Sequence, residues 1–177
     1  MPDSAASPST DQLLTTHLRR LLAYHGWAYE RLIHSLQALD EADYRAPRGL
    51  FFGSLHGTLN HLAVADRLWL ARVRHEPRPF DSLGAEAATD LPSLGHFIDE
   101  GLGAWQAWLS QQNDQSLCQP LAYHSMDGNT HSKPLADLLL HLVNHGTHHR
   151  GQISAALTAL GQPAPVLDYL YFLPEHL

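Results

Sequence analysis

Cysteine occurs once in this 177-residue chain, at Cys118. No disulfide can close within it, and no CxxC metal knuckle or redox pair can form. Cys118 reads as a small buried or half-buried apolar residue. Lysine is as scarce, with Lys133 alone, and the arginines are scattered along the sequence. A net charge of −7 without a basic cluster repels phosphate backbones, so nucleic acid is not an expected partner. No apolar run reaches the ~18 residues of a membrane span. No charged stretch followed by an apolar one opens the chain, so a cytoplasmic protein without a membrane partner is expected. A nucleotide-binding glycine loop, a GxSxG elbow and internal repeats are also missing.

What is present is enough apolar sequence to fold, 44% of residues, and an excess of histidine, 14 in all. Residues 1–10, "MPDSAASPST", read as a disordered tail, and 11–177 as a single domain. Thr10 or Asp11 can cap a first helix running to about Leu39, with Leu14, Leu18, Leu22, Leu32 and Leu36 at helical spacing. The stretch "DEADYRAPRGLFFG" reads as a connecting loop. Ser54 then caps a second helix to about Arg74, and Asp90 with Pro92 opens a third. Asp127-Gly128 signals a hairpin turn. Ser132 stands as the cap of the last long helix, with Pro134 in its first turn. That helix runs to Leu160 and stops at Gly161. The apolar tail from Ala164 onward should pack back on the body. The expected fold is all-α, a four-helix bundle with a short hairpin or ordered loop before the last helix.

The segment "HLVNHGTHHRGQ", from His141 to Gln152, holds four histidines. A helix turns about 100° per residue, so His145 and His149 share a face one turn apart, the spacing a metal needs from two ligands on one helix. His148 lies three residues from His145 and competes for the second position. The residues between His145 and His149 include no Glu, which excludes a zincin site. A third ligand has to come from a facing helix. His61, mid-helix in "LNHLAVAD", is the best candidate; His56 would not share its face, and His25 can approach from the first helix. Gly146 and Gly151 each cost about 1 kcal/mol against Ala in a helix interior, so a close approach or a ligand should compensate. A simple packing notch would also account for them.

Taken together, "YHGWAYERL", "SLHGTLNHLAVADRLWLARV" and "HLVNHGTHHRGQISAAL" resemble the DinB-type (DinB/YfiT-like) metalloenzymes over about residues 11–175. The resemblance implies a four-helix bundle holding a divalent metal on three histidines. Carried onto this sequence, these are His61 of "LNHL", His145, and His149, the histidine directly before Arg-Gly-Gln. The position of His25 is often Asn in relatives. Thiol-dependent enzymes, a maleylpyruvate isomerase and a bacillithiol transferase, belong to the same family, and its members often form homodimers.

Three neutral imidazoles on a divalent ion leave a coordination position where water, or a low-molecular-weight thiol as cosubstrate, would be activated. Zinc and nickel both suit imidazole. Tyr24 and His25 are the candidates for proton transfer or substrate orientation. Asp66 and Arg150 are expected to support the ligands through an ion pair between the two metal-bearing helices, and His141 lies one turn before His145. Two functions follow. One is a metal-dependent transferase or hydrolase acting on a small molecule. The other is a non-catalytic metal-binding protein of the stress response. A bundle whose histidines are only core residues is the third possibility.

Overall fold

The computed structural model describes residues 12–176. The tail at 1–10 and the caps expected at Thr10 or Asp11 lie outside the described residues. Four long helices form the body: α1 (Leu13–Leu36), α3 (Leu55–Val73), α4 (Leu91–Ser110) and α6 (Leu135–Ala159). Shorter elements fill the connections: α2 (Glu41–Arg45), α5 (Asp114–Leu117), strands β1 (Pro120–His124) and β2 (Thr130–Pro134), and the terminal α7 (Tyr169–His176). α1 and α3 each pack against both α4 and α6, which makes a four-helix bundle. Among the described residues no helix is long and apolar enough to cross a membrane.

Local chemistry explains most boundaries. Ser54 accepts from the Gly57 N–H at 3.0 Å and starts α3. Asp90 does the same for Ser93 at 2.9 Å, with Pro92 in the first turn of α4. At the start of α1 the free N–H groups of Leu14 and Thr15 donate to the carboxylate of Asp114, which arrives from α5. Gly161 takes φ +72° just after α6, a conformation that suits glycine at a helix end.

Three expectations need correction. Ser132 does not cap α6: it sits in β2 opposite Ala122, and Pro134 immediately precedes the helix. Strand pairing takes the residues that a local cap signal claimed. The stretch after α1 is not all loop, because Asp40 caps the single-turn helix α2 and buries Tyr44. Cys118 is exposed, at the end of α5. The hairpin expected at Asp127-Gly128 is present, with Gly128 at φ +86°. The tail packs back as expected, burying Phe172 beside Tyr24.

The core is divided along the bundle axis. At one end Tyr29, Leu32, Leu59, Leu62, Leu94, Ile153 and Leu157 pack together. At the other, Leu18, Leu22, Leu70, Trp105, Leu138 and Leu142 do so. Between them α1 contributes His25, α3 Asp66 and α6 Arg150, all buried. Gly146, with no side chain, makes room for His25 and Arg150. From Leu55 to Asp66 every residue of α3 except Gly57 is buried. A helix hidden on all sides needs cover beyond its bundle neighbours. The loop between α3 and α4 provides it: Asn60 Oδ1 accepts from the N–H groups of Ala87 at 2.7 Å and Ala88 at 3.2 Å, and His56 meets Glu86 at 2.7 Å.

Candidate metal centre

α3 and α6 bring His61, His145 and His149 together, with one ring nitrogen from each within 4.8 Å of the others. His61 Nε2 lies 3.2 Å from His145 Nε2. The ring centroids are 4.6 Å apart for His145 and His149 and 4.7 Å for His61 and His149.

Two of the outer ring nitrogens are already occupied. His61 Nδ1–H donates to the Leu83 carbonyl at 2.9 Å, from the loop that covers α3. His149 Nδ1–H donates to Gln152 Oε1 at 2.7 Å, one turn along the same helix. A neutral imidazole that spends its proton on Nδ1 presents a bare lone pair at Nε2. These two lone pairs therefore face inward. A tetrahedral ion with metal–nitrogen bonds of about 2.0–2.1 Å sets its ligands about 3.3 Å apart, close to the separation of His61 and His145. Donor type, spacing and outer hydrogen bonds all fit a divalent cation that takes imidazole ligands.

Electrostatics keep the cluster neutral. Burial, then the neighbouring imidazoles of His149, His61 and His141, push His145 down to about 3, against an opposing pull from Asp66. Burial also lowers His61 and His149 from the ordinary imidazole value. Unprotonated rings are the form that ligates metal.

Phe52, from the loop before α3, stacks on His61 with centroids 3.7 Å apart and planes at 13°. It also meets His149 edge-on at 5.7 Å. It covers one flank of the cluster with an apolar face. No periodicity marks Phe52, and nothing in the loop sequence marks the Leu83 carbonyl. Gln152 carried a readable signal, since it lies three residues after His149 on the same helix.

The remaining candidates fall elsewhere. His25 does not join the cluster. Its Nε2–H donates to Asp66 Oδ2 at 3.1 Å, and its Nδ1 accepts from Arg150 Nη1 at 2.9 Å. With both nitrogens committed and burial lowering its pKa, it is a neutral bridge. The expected ion pair between Asp66 and Arg150 is thus not direct: an imidazole from α1 stands between them, and the link joins three helices instead of two. Tyr29 donates to the same Asp66 oxygen at 2.9 Å, and burial together with Asp66 holds its hydroxyl protonated. Among the described residues Asp66 Oδ1, also buried, has no hydrogen-bond partner. The Tyr24 hydroxyl donates to the Leu167 carbonyl at 2.8 Å, and its ring packs on Tyr169 and Phe172. His141 flanks His145 at a centroid distance of 5.7 Å and meets Trp69 at 5.5 Å. His148 is exposed while His149 is buried. His56 turns to Glu86.

A cavity of ≈ 930 Å³ lies between α1, α4 and Pro163–Pro165, and none of the three clustered histidines lines it.

Comparison with known proteins bears on the family and the fold. The model of the DinB family matches residues 9–176. Protein DinB of Bacillus subtilis (strain 168) is 26% identical over 159 residues, covering 87% of this chain and 92% of its own length. A crystal structure of a DinB-like protein from Bacillus cereus ATCC 10987 superposes with a TM-score of 0.62 at 19% identity, covering 81% of this chain and 91% of the other. The latter likeness is one of fold.

Proposed function

The chain belongs to the DinB family, and on that premise we propose that it is a metal-dependent enzyme, of thiol-dependent transferase or hydrolase type, acting on a small molecule. His61, His145 and His149 are the proposed ligands of one divalent ion, zinc or nickel. The observation that carries the proposal is the outward commitment of two Nδ1–H groups, to Leu83 and Gln152, which turns the Nε2 lone pairs toward a common point. The His61 Nε2 so turned lies 3.2 Å from His145 Nε2, the separation of two ligands on one tetrahedral ion.

Bound there, the ion would act as Lewis acid and hold a thiol or water in its nucleophilic form. The protein's own groups do the rest. Three ligands, fewer than the four of a closed structural site, leave room for a reactant. Phe52 shields one side from water. His25, Asp66, Tyr29 and Arg150 fix α1, α3 and α6 relative to one another, and so fix the spacing of the ligands.

The family resemblance carries the further parts of the proposal, a cytoplasmic homodimer that takes a low-molecular-weight thiol as cosubstrate. Leu140 on α6 and Leu170 and Tyr171 on α7 stand exposed and support an apolar contact between copies.

Metal analysis of protein purified without a histidine tag tests the centre. One equivalent of metal in the wild type and none in His61→Ala is expected. Screening small electrophiles with glutathione, with and without a chelator, tests turnover. Metal binding without any turnover would favour sequestration over catalysis, and activity untouched by chelation would overturn the enzymatic reading.

A further inference from the structure

Arg72 follows His61 by eleven residues on α3, which returns it to nearly the same helical face. Its guanidinium lies 4.4 Å from the ring centroid of Trp69 and 5.3 Å from that of Tyr123 on β1. Among the described residues no carboxylate or other acceptor bonds it. Arg45, Arg48, Arg67, Arg74 and Arg78 each meet an acid. In a chain of net charge −7, a half-buried cation held by two aromatic faces and paired with no acid has donors to spare. Two ring faces fix the guanidinium and leave its N–H edges free.

The rings also connect Arg72 to the metal centre. Trp69 lies 5.5 Å from His141, and His141 lies 5.7 Å from His145. Beside Arg72 opens a cavity of ≈ 310 Å³ whose lining includes Leu68, Glu76, Arg78, His124 and Ser125. Arg78 meets Asp81 there at 2.8 Å, so Arg72 is the cation lining this cavity with no acid partner among the described residues.

We propose that Arg72, held against Trp69 and Tyr123, is a carboxylate subsite that anchors one end of a small molecule whose other end points along the rings toward His145. The guanidinium fork matches a carboxylate with two parallel hydrogen bonds. Glu76 on the same wall repels a multiply charged phosphate more strongly than a singly charged carboxylate, which decides between these two anions. The subsite gains its functional meaning from the proposed metal centre, although its existence does not depend on it.

NMR of the arginine side-chain Nε–Hε resonances, with the full-length zinc-loaded protein, reads binding at Arg72 directly. The probes are 3-phenylpropanoate, its neutral counterpart 3-phenylpropanamide, and inorganic phosphate. Saturable perturbation of the Arg72 signal by the carboxylate is expected, with the amide weaker by about tenfold, the size of one charge-assisted pair. Arg72→Gln, with its fold checked by circular dichroism, should weaken carboxylate binding by about the same factor. Arg72→Lys should fall between. Arg31→Gln serves as control, because Arg31 also lies over a tryptophan, Trp27, but donates to the Val166 carbonyl. Equal affinity in wild type and Arg72→Gln would overturn the subsite, as would an amide or phosphate that binds more tightly than the carboxylate. The metal-free His61→Ala protein separates the two readings. Carboxylate binding retained there supports the subsite whatever becomes of the metal, and binding lost with the metal would place the probe on the ion and overturn the subsite.

Discussion

Gly146 lies so close beneath His25 that a Cβ on it would stand 2.5 Å from Cε1 of the imidazole. The same Cβ would come within 2.6 Å of Arg150 Nη1. The ring cannot step aside, because it is fully buried and both its nitrogens are held. Gly151, on the same helix, has nothing within 4 Å of a built Cβ. The two glycines therefore have opposite meanings. Gly146→Ala should destabilise through overpacking, by about 1–3 kcal/mol, outweighing the gain of about 1 kcal/mol in helix propensity. Gly151→Ala should stabilise by about 0.5–1 kcal/mol. Urea melts of both variants check this. If both moved stability in one direction, the close approach at Gly146 would have no energetic weight.

Asp66 accepts from His25 and from Tyr29, and it offsets the charge of Arg150 through the intervening imidazole. Asp66→Ala would strand two buried donors and an uncompensated guanidinium, a loss of about 3–5 kcal/mol. If this network holds the metal-bearing helices in register, metal affinity measured on the folded protein should also fall, by about tenfold or more. Zinc titration with a competing chelator decides it. Unchanged affinity in the folded variant would confine Asp66 to a role in stability.

The odd cost of Gly146 can be read from the sequence, but its reason cannot, because His25 and Arg150 meet over it from two different helices. Much the same holds across the molecule. Ser54 and Asp90 announce their helices because a cap is a local bond, and Gly161 marks the end of α6 for the same reason. Ser132 misleads because its cap signal competes with a partner strand, Ala122 opposite, that no local pattern encodes. In the cluster, the spacing of His145 and His149 is legible from the helical period, while the choice between His148 and His149 is a rotation of about 100°. α6 turns His149 inward, into the cluster with His61 and His145, and leaves His148 outside. Leu83 and Phe52 come from loops laid over α3, so only the assembled chain reveals them.

The pH dependence of the metal-free protein follows from the imidazoles. In the unfolded chain His145 takes its proton near 6.5, and in the fold only near 3. Burial, the rings of His149, His61 and His141, and the partly opposing charge of Asp66 set that difference. Between those values the unfolded state binds more protons, so stability rises with pH there. The contribution is fully present above about 6.5 and is lost progressively as pH falls toward 3. Burial shifts His61, His149 and His25 in the same direction. Thermal melts of chelator-treated protein from pH 7.5 to 4.5 should show Tm falling steadily. His145→Gln should flatten the slope. Identical slopes in both proteins would mean that His145 titrates normally in the fold.

Two residues that touch no metal should nonetheless tune its affinity, by separate routes. Gln152 fixes the tautomer of His149 through a 2.7 Å bond on α6. Asn60 acts at a distance on His61: it clamps Ala87 and Ala88, and the loop so fixed carries the Leu83 carbonyl that receives the His61 proton. Gln152→Leu and Asn60→Ala should each lower zinc affinity about 10- to 100-fold, the usual consequence of losing a group that orients a ligand. The routes run through different helices and different ligands, so the double variant should lose close to the sum of the two free energies. Helicity by circular dichroism should stay near wild type for Gln152→Leu, because Gln152 bonds within its own helix. Asn60 is buried, so its variant needs affinity measured on protein shown to be folded. A double variant no weaker than either single one would mean that the two hydrogen bonds serve one shared distortion instead of two independent ligands.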